Sequence, residues 1–378
     1  MDVTLACDIM MDLEGSIRPA MYLADELILR GHNVSMISPL MSSDVEASLR
    51  GRGITPINLR SKLVARSTGL SLLWFESWAR EAFLRLNSKR AGDDVSATIN
   101  FSQVISLPSS FWYLQGPPSV ALKDMESELS PSFRLAFNVL RPFVQYADGK
   151  LVSRMDRVTT IVIANSKFCA SMYYDLGVEV NHVIYPPIDR QTFHPSTSKP
   201  SSEYVLAYFG KETKFSVVKK IADAGVKIKA FGSKTPFIPE KLLKHPNVDF
   251  VGRVSNGQLV NLYSNALFTL FPFTHEPFGY VPLESMACGT PVLTHDMQGP
   301  SEYLDDGYTG WLLATDDELA RKSVRLWEDG YPPELRVNCT KEASKFDIRF
   351  YTEKWLRVLP AAEEKSVCVS GCLKAEAA

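Results

Sequence analysis

Several features are missing from this chain of 378 residues, and each absence narrows what it can do. No apolar run approaches the ~20 residues of a membrane-spanning helix. The N-terminus has no basic, then apolar, then small-residue pattern of the kind that marks a secretory signal. Neither charge sign is in excess: 41 Lys and Arg face 43 Asp and Glu, a formal net charge of −2, so there is no electrostatic footprint for nucleic acid. The six cysteines are scattered without the paired spacing of a zinc site, and Cys368 and Cys372 fall in an expected tail. They read as reduced thiols, with neither disulfides nor metal. The first strand–loop–helix lacks the G-x-G-x-x-G dinucleotide fingerprint, which argues against a dehydrogenase. The chain is therefore expected to be cytoplasmic, with no resident cofactor and no metal ligand.

What is present supports a large packed core. Hydrophobic residues make up 45% of the chain and charged residues 22%, and the length argues for two domains. Val3 to Cys7 reads as a buried strand, followed by a loop through Gly15 and a helix from about Ser16, its plausible N-cap, to Arg30. Ala20, Leu23, Ala24, Leu27 and Ile28 share one face of that helix, and Val34 to Ile37 begins another strand. A helix rich in large apolar groups runs from Leu70 to about Leu86, interspersed with arginines; Arg66 precedes it. It suits either the core or an interfacial face that meets a lipid-borne substrate. Further strands are expected at 95–100, 111–114 and 158–164, and a helix over 133–157. The Ser-, Thr- and Pro-rich stretch 196–202 reads as an interdomain linker. Beyond it, strands at 204–209, 226–231, 248–250 and 266–273 alternate with helices, the rhythm of a doubly wound α/β sheet.

The most informative stretch is His275 to Val292. It follows the apolar run 266–273 and reads as loop, short helix, strand. Gly279 allows close backbone approach, Pro282 fits the first helical turn, and Gly289 followed by Thr290-Pro291 ends the helix. The amides of Phe278, Gly279 and Tyr280 fall at the helix start, a position suited to an anion, and Glu276 and Glu284 flank it. A diphosphate on the helix start, with acids accepting hydrogen bonds from hydroxyl-rich groups, is one reading. An ordinary βαβ unit with acids near a helix N-terminus is the other, and local physics does not separate them.

The full string Glu-Pro-Phe-Gly-x-x-x-Leu-Glu-x-Met-Ala-x-Gly-x-Pro-Val, from Glu276 to Val292, resembles the signature of retaining GT-B glycosyltransferases of family 4, also called glycosyl transferases group 1. The chain is similar in particular to mannosyltransferases that build lipid-linked oligosaccharides. The resemblance covers nearly the whole chain and is strongest after residue 265. It implies an α/β, GT-B architecture: two Rossmann-like doubly wound domains facing a cleft, with a C-terminal helix crossing back. The implied divisions are an acceptor-side domain over 1–195, a nucleotide-sugar-binding domain over 196–345, a helix over 346–360 packing back on the first domain, and a disordered tail over 361–378.

The resemblance also implies roles. Glu276 would be the catalytic carboxylate, binding sugar hydroxyls near the reacting carbon. Lys211 and Lys214 would neutralise the donor diphosphate, without the arginine usual in relatives. Pro277, Phe278, Gly279, Tyr280 and Val281 would hold the diphosphate and sugar, Glu284 the ribose, and Arg253 would lie at the strand end that reads the base. On the acceptor side, Gly15 and Ser16 stand where relatives carry a glycine-rich loop, and Gln115 where many carry a cleft-facing histidine. Glutamine can hydrogen-bond a hydroxyl but cannot titrate. The expected reaction moves a hexose from a nucleotide-diphosphate sugar, GDP-mannose before UDP-glucose, to a glycan or lipid-linked acceptor, with peripheral membrane contact a further expectation. A GT-B sugar-nucleotide epimerase and a non-catalytic nucleotide-sugar-binding protein or partner subunit are the alternatives.

Overall fold

The structure, a computed structural model, describes residues 1–359 except 14, 65–69, 92–96, 121–125, 127–130, 211 and 234–237. Lys211, Arg66 and the expected tail lie outside the described residues. The chain forms two compact units. One comprises residues 1–117, 142–187 and the chain from 349 onward; the other comprises 118–141 and 188–348.

The first unit is built on a seven-stranded parallel sheet in the order β3-β2-β1-β4-β5-β6-β7. Its elements run β1 (Asp2–Ala6), α1 (Arg18–Leu29), β2 (Asn33–Ser38), α2 (Ser43–Gly51), β3 (Thr55–Asn58), α3 (Leu70–Leu84), α4 (Leu86–Ala91), β4 (Thr98–Asn100), β5 (Ser109–Leu114), α5 (Pro131–Arg157, of which the part up to Arg141 belongs to the other unit), β6 (Thr159–Ala164), α6 (Lys167–Tyr174) and β7 (His182–Val183). Central strands are buried on both faces, as parallel sheets covered by helices require: Phe111, Trp112, Tyr113 and Leu114 of β5 are all at most 2% exposed. Ala20, Leu23, Ala24 and Leu27 of α1 are buried at i, i+3, i+4, i+7 spacing. Ser16 is not the cap of α1. The chain enters through a 3-10 turn over Gly15–Ile17, and Ile17 occupies the N-cap position without a side-chain bond. Pro19 lies at the start of the helix, where its ring sets the backbone angle and its missing N–H costs nothing.

Residues 348–359 form a last helix, α13, whose part from 349 belongs to the first unit. Its Trp355 is fully buried, with its ring centroid 5.8 Å from those of Phe101, Phe111 and Tyr113. Tyr351 Oη donates to the Pro19 carbonyl at 2.9 Å. Burying two such aromatics contributes roughly 1.5–3 kcal/mol each.

The second unit has a six-stranded parallel sheet in the order β10-β9-β8-β11-β12-β13. Its elements are β8 (Val205–Tyr208), α7 (Phe215–Asp223), β9 (Ile228–Phe231), α8 (Glu240–Leu243), β10 (Val248–Gly252), α9 (Asn256–Asn265), β11 (Thr269–Phe271), α10 (Tyr280–Ala287), β12 (Val292–His295), β13 (Gly310–Leu313), α11 (Asp316–Asp329) and α12 (Glu334–Ala343). Capping boxes start α9, through Ser255 and Gln258, and α11, through Thr315 and Glu318.

The stretch 196–202, read as a linker, belongs to this unit. The Ser196 amide donates to Ser264 Oγ and the Ser202 amide to the Asn265 carbonyl, so both ends are fastened to α9. The chain changes unit between Pro187 and Ile188. A polar composition marks a surface segment, and here its polar groups are spent on the neighbouring helix.

Candidate active site

Each sheet has a point where the strand order reverses, and open α/β sheets bind ligands there, beyond the carboxyl ends of the strands. In the second sheet the reversal falls between β8 and β11. The loops that leave these two strands carry Lys214 and the 272–279 stretch, so the folding topology brings together residues sixty positions apart in sequence.

The loop after β11 is rigid. Gly279 is the N-cap of α10 with φ +86°, a left-handed conformation that L side chains rarely adopt. A Cβ there would lie 2.8 Å from Pro300 Cγ and 3.3 Å from Tyr303 Oη. Tyr303 Oη lies 3.0 Å from the Phe278 carbonyl and 2.7 Å from that of Gly279, pinning both. The Phe278 ring is 2% exposed and packs against Tyr303 and Phe346. Gly299 donates its amide to the Glu276 carbonyl at 2.8 Å and sits so close to Pro277 that no side chain would fit.

Glu276 Oε1 accepts from the amides of Phe278, at 3.4 Å, and Gly279, at 3.1 Å. Those two amides, read as donors for a bound anion, face the carboxylate of their own loop, because a glutamate two and three residues upstream is the nearest negative charge to a helix start. Glu284, in the second turn of α10, is 3% exposed and accepts from Tyr263 Oη at 3.1 Å. Both acids surround the same phenols. Burial, then Glu212, Glu276 and Glu284, pushes Tyr208 up to about 12. Burial, then Glu276, Glu302 and Glu284, drives Tyr303 far above its ordinary range. Tyr280 and Val281, half-buried, open α10.

Lys214 caps the start of α7, and its Nζ lies 2.9 Å from Asp316 Oδ1. The same oxygen is 2.8 Å from His295 Nε2. Burial, then Lys214, lowers the His295 pKa below the usual imidazole range. Exposed Arg253, after β10, donates from Nε to Ser233 Oγ at 2.8 Å, and its charge also reaches Tyr208.

In the first sheet the reversal falls between β1 and β4. Its centre is Asp8, which the sequence reading passed over. The carboxylate accepts from Trp74 Nε1 of α3 at 2.8 Å, from Ser102 Oγ at 2.7 Å and from the Gln103 amide at 2.7 Å. Burial raises its pKa despite these bonds. Gln115 Nε2 donates to the Phe101 carbonyl at 2.9 Å and Gln103 Nε2 to that of Gly116, so the ends of β4 and β5 are stitched together. Gly15 and Ser16 are exposed on the 3-10 turn. Lys214, Glu276 and the 277–281 segment thus gather at one switch point, and Glu284 and Arg253 belong to the same unit. Gly15, Ser16 and Gln115 belong to the other.

The sequence reading also missed Tyr303, His295 and Asp316. An acid directly after the apolar run Val3–Cys7, and a histidine directly after Val292–Thr294, were the available signals: each ends a strand where ligand loops begin. Among the described residues, no group of three or more His, Cys, Asp or Glu is placed to hold a metal ion.

Two parallel sheets with flanking helices, each with a strand-order reversal, are the GT-B fold. HepE of Anabaena, solved in complex with UDP-glucose, has this fold: it superimposes with a TM-score of 0.66 over 96% of this chain and 100% of that one, at 17% identity. Residues 237–346 match the family model for Glycosyl transferases group 1. The match lies within the second unit, and with the fold and the relatives it marks the chain as a glycosyltransferase-class enzyme. Alpha-maltose-1-phosphate synthase of Mycobacterium tuberculosis is 26% identical over 262 residues, 58% of this chain and 67% of that protein. D-inositol 3-phosphate glycosyltransferase of Mycobacterium avium is 24% identical over 219 residues, 52% of this chain; the match spans half of that relative's length.

Proposed function

We propose that the chain is a retaining family 4 enzyme that transfers a hexose from a nucleotide-diphosphate sugar to a glycan or lipid-linked acceptor. The observation that supports this reading is that Glu276 and the Gly279 helix start lie on the loop after β11, to whose Pro272 carbonyl the Lys214 amide, on the loop after neighbouring β8, is bonded. The donor diphosphate lies against the first turn of α10, with the Val281 amide among its donors, and Lys214, with Lys211, offsets the charge that develops on the leaving phosphate. Glu276 accepts from the sugar hydroxyls and supports positive charge at the reacting carbon. Glu284 serves the ribose, and Arg253 borders the base. In a front-face attack the bond from the anomeric carbon to the phosphate oxygen breaks, the acceptor oxygen takes its place on the same face, and the departing phosphate takes the acceptor proton. That path needs no protein nucleophile and no divalent ion. HepE, solved with UDP-glucose, makes UDP-glucose the first donor to test and GDP-mannose the second.

The acceptor side is assigned to the first sheet's switch point, around Gly15, Ser16 and Gln115. A lipid-borne acceptor draws support from α5, where Val139, Leu140, Phe143 and Tyr146 are each 47% exposed or more. Basic Lys150 lies on the same helix, over the Tyr146 ring, and Arg141 there is paired with Glu126, so apolar exposure more than charge supports a membrane surface. For α3, expected either in the core or at an interfacial face, the full burial of Trp78 and Ala82 supports the core.

The test is a radiolabelled transfer assay with both donors over a glycan and glycolipid panel, with the anomeric configuration of the product read by NMR. Glu276→Ala is expected to lower turnover about 10²–10³-fold. Glu276→Gln retains an oxygen for the two amides and separates the charge from the loop anchor. Turnover unchanged in both variants contradicts the role of Glu276. Tight donor binding with no transfer to any acceptor points to the non-catalytic binding protein.

A further inference from the structure

His295 sits at the end of β12, 2% exposed, with both ring nitrogens engaged. Nδ1 lies 3.0 Å from the Phe273 carbonyl and Nε2 lies 2.8 Å from Asp316 Oδ1. Both partners are acceptors. A neutral imidazole has one N–H, so one contact sets lone pair against lone pair unless both nitrogens carry protons. Lys214 Nζ shares the same Asp316 oxygen at 2.9 Å. Lys214 and Asp316 together are neutral, so a protonated ring would add a net positive charge in a buried place. With Lys214 in position the ring stays neutral and one of its contacts is unsatisfied. The main chain of Lys214 is anchored by its amide to the Pro272 carbonyl at 3.1 Å, which leaves the side chain as the part able to move. The charged groups facing the ring are Lys214, from the loop before α7, and Asp316, from the start of α11. On its own segment Asp296 follows in sequence, and Gln298 Nε2 donates to the His295 carbonyl at 3.4 Å. The nearby Lys220 is occupied by Asp317 at 2.6 Å.

We propose that His295 is a positioning residue through which Asp316 exchanges cations: when a donor diphosphate draws Lys214 away, His295 takes up a proton, so that donor binding and proton uptake are coupled. This rests on the reading that Lys214 meets the donor diphosphate. The exchange keeps the cluster neutral in both states, as Lys–Asp before and His–Asp after. One proton moves from solvent to the imidazole, both ring contacts become donor-to-acceptor, and no bond in the donor forms or breaks.

Calorimetry of UDP-glucose and GDP-mannose binding, in buffers of different ionisation enthalpy, counts the protons. These sugar nucleotides have no phosphate ionisation near neutrality, so uptake belongs to the protein. The wild type is expected to take up a proton and to bind more tightly as pH falls, by at most about tenfold per pH unit. His295→Gln is expected to bind without uptake and without that slope. Binding by the wild type with no uptake between about pH 5.5 and 7.5 overturns the coupling and leaves the donor reading intact. Failure of both sugar nucleotides to bind overturns the donor reading, and the exchange is then read in the free protein. There, NMR titration of ring-labelled histidines is expected to show the His295 pKa rising in Lys214→Met, because Asp316 is left to the ring. An unchanged His295 titration in that variant overturns the exchange itself.

Discussion

At the switch point of the first sheet one carboxylate, Asp8, is held by three neutral donors, an indole, a hydroxyl and an amide. At the switch point of the second sheet the carboxylates of Glu276 and Asp316 meet a helix start, a lysine and a histidine. The difference is one of exchangeability. Neutral donors fixed by the fold hold a carboxylate in one arrangement and favour its charged form, while burial resists its ionisation. Cations on long side chains change partner when a stronger anion arrives. The first switch point is therefore built as shape and the second as chemistry.

The comparison breaks most visibly at Gly279. Gly279→Ala imposes left-handed strain and a close approach to Pro300, together about 2–5 kcal/mol, and should also weaken donor binding. Chemical denaturation and calorimetry measure the two effects, and wild-type values for both would contradict the rigid helix start. Next is Asp8→Asn, expected to cost about 1–3 kcal/mol, since its amide NH2 would face Trp74 Nε1, donor against donor. Asp8 also carries a pH signature. Its pKa is raised in the fold, so its contribution is greatest at low pH and is lost as pH rises through the folded value. Denaturation midpoints followed from acid to neutral pH should show this slope in the wild type and not in Asp8→Asn. The smallest effect is expected for Trp74→Phe, about 1 kcal/mol, because Ser102 and Gln103 still hold the carboxylate. A double-mutant cycle with Asp8→Asn should be non-additive; strict additivity would mean that the indole is not part of the clamp.

The second switch point was the more legible because much of it is contiguous. Glu276, Phe278, Gly279 and Glu284 fall within nine residues, and the turn glycine and the helix stop at Gly289 are local signals. Asp8 was not legible. Its partners lie 66, 94 and 95 residues away, and nothing at position 8 announces them. Ser16 misled because a serine before an apolar helix suits an N-cap, whereas the 3-10 turn moved the helix start to Arg18. The 196–202 stretch misled because composition reports polarity and not the helix that polarity is bonded to.

Periodicity and turn chemistry thus determined the alternation of strands and helices and one short stretch of site, since these depend on interactions within a few residues. Only the tertiary structure decided that Glu276 turns onto its own loop amides and that Lys214 and His295 share a single oxygen of Asp316. A side chain's partner is set by which strand ends the topology places side by side, and no local pattern in the chain records that neighbour.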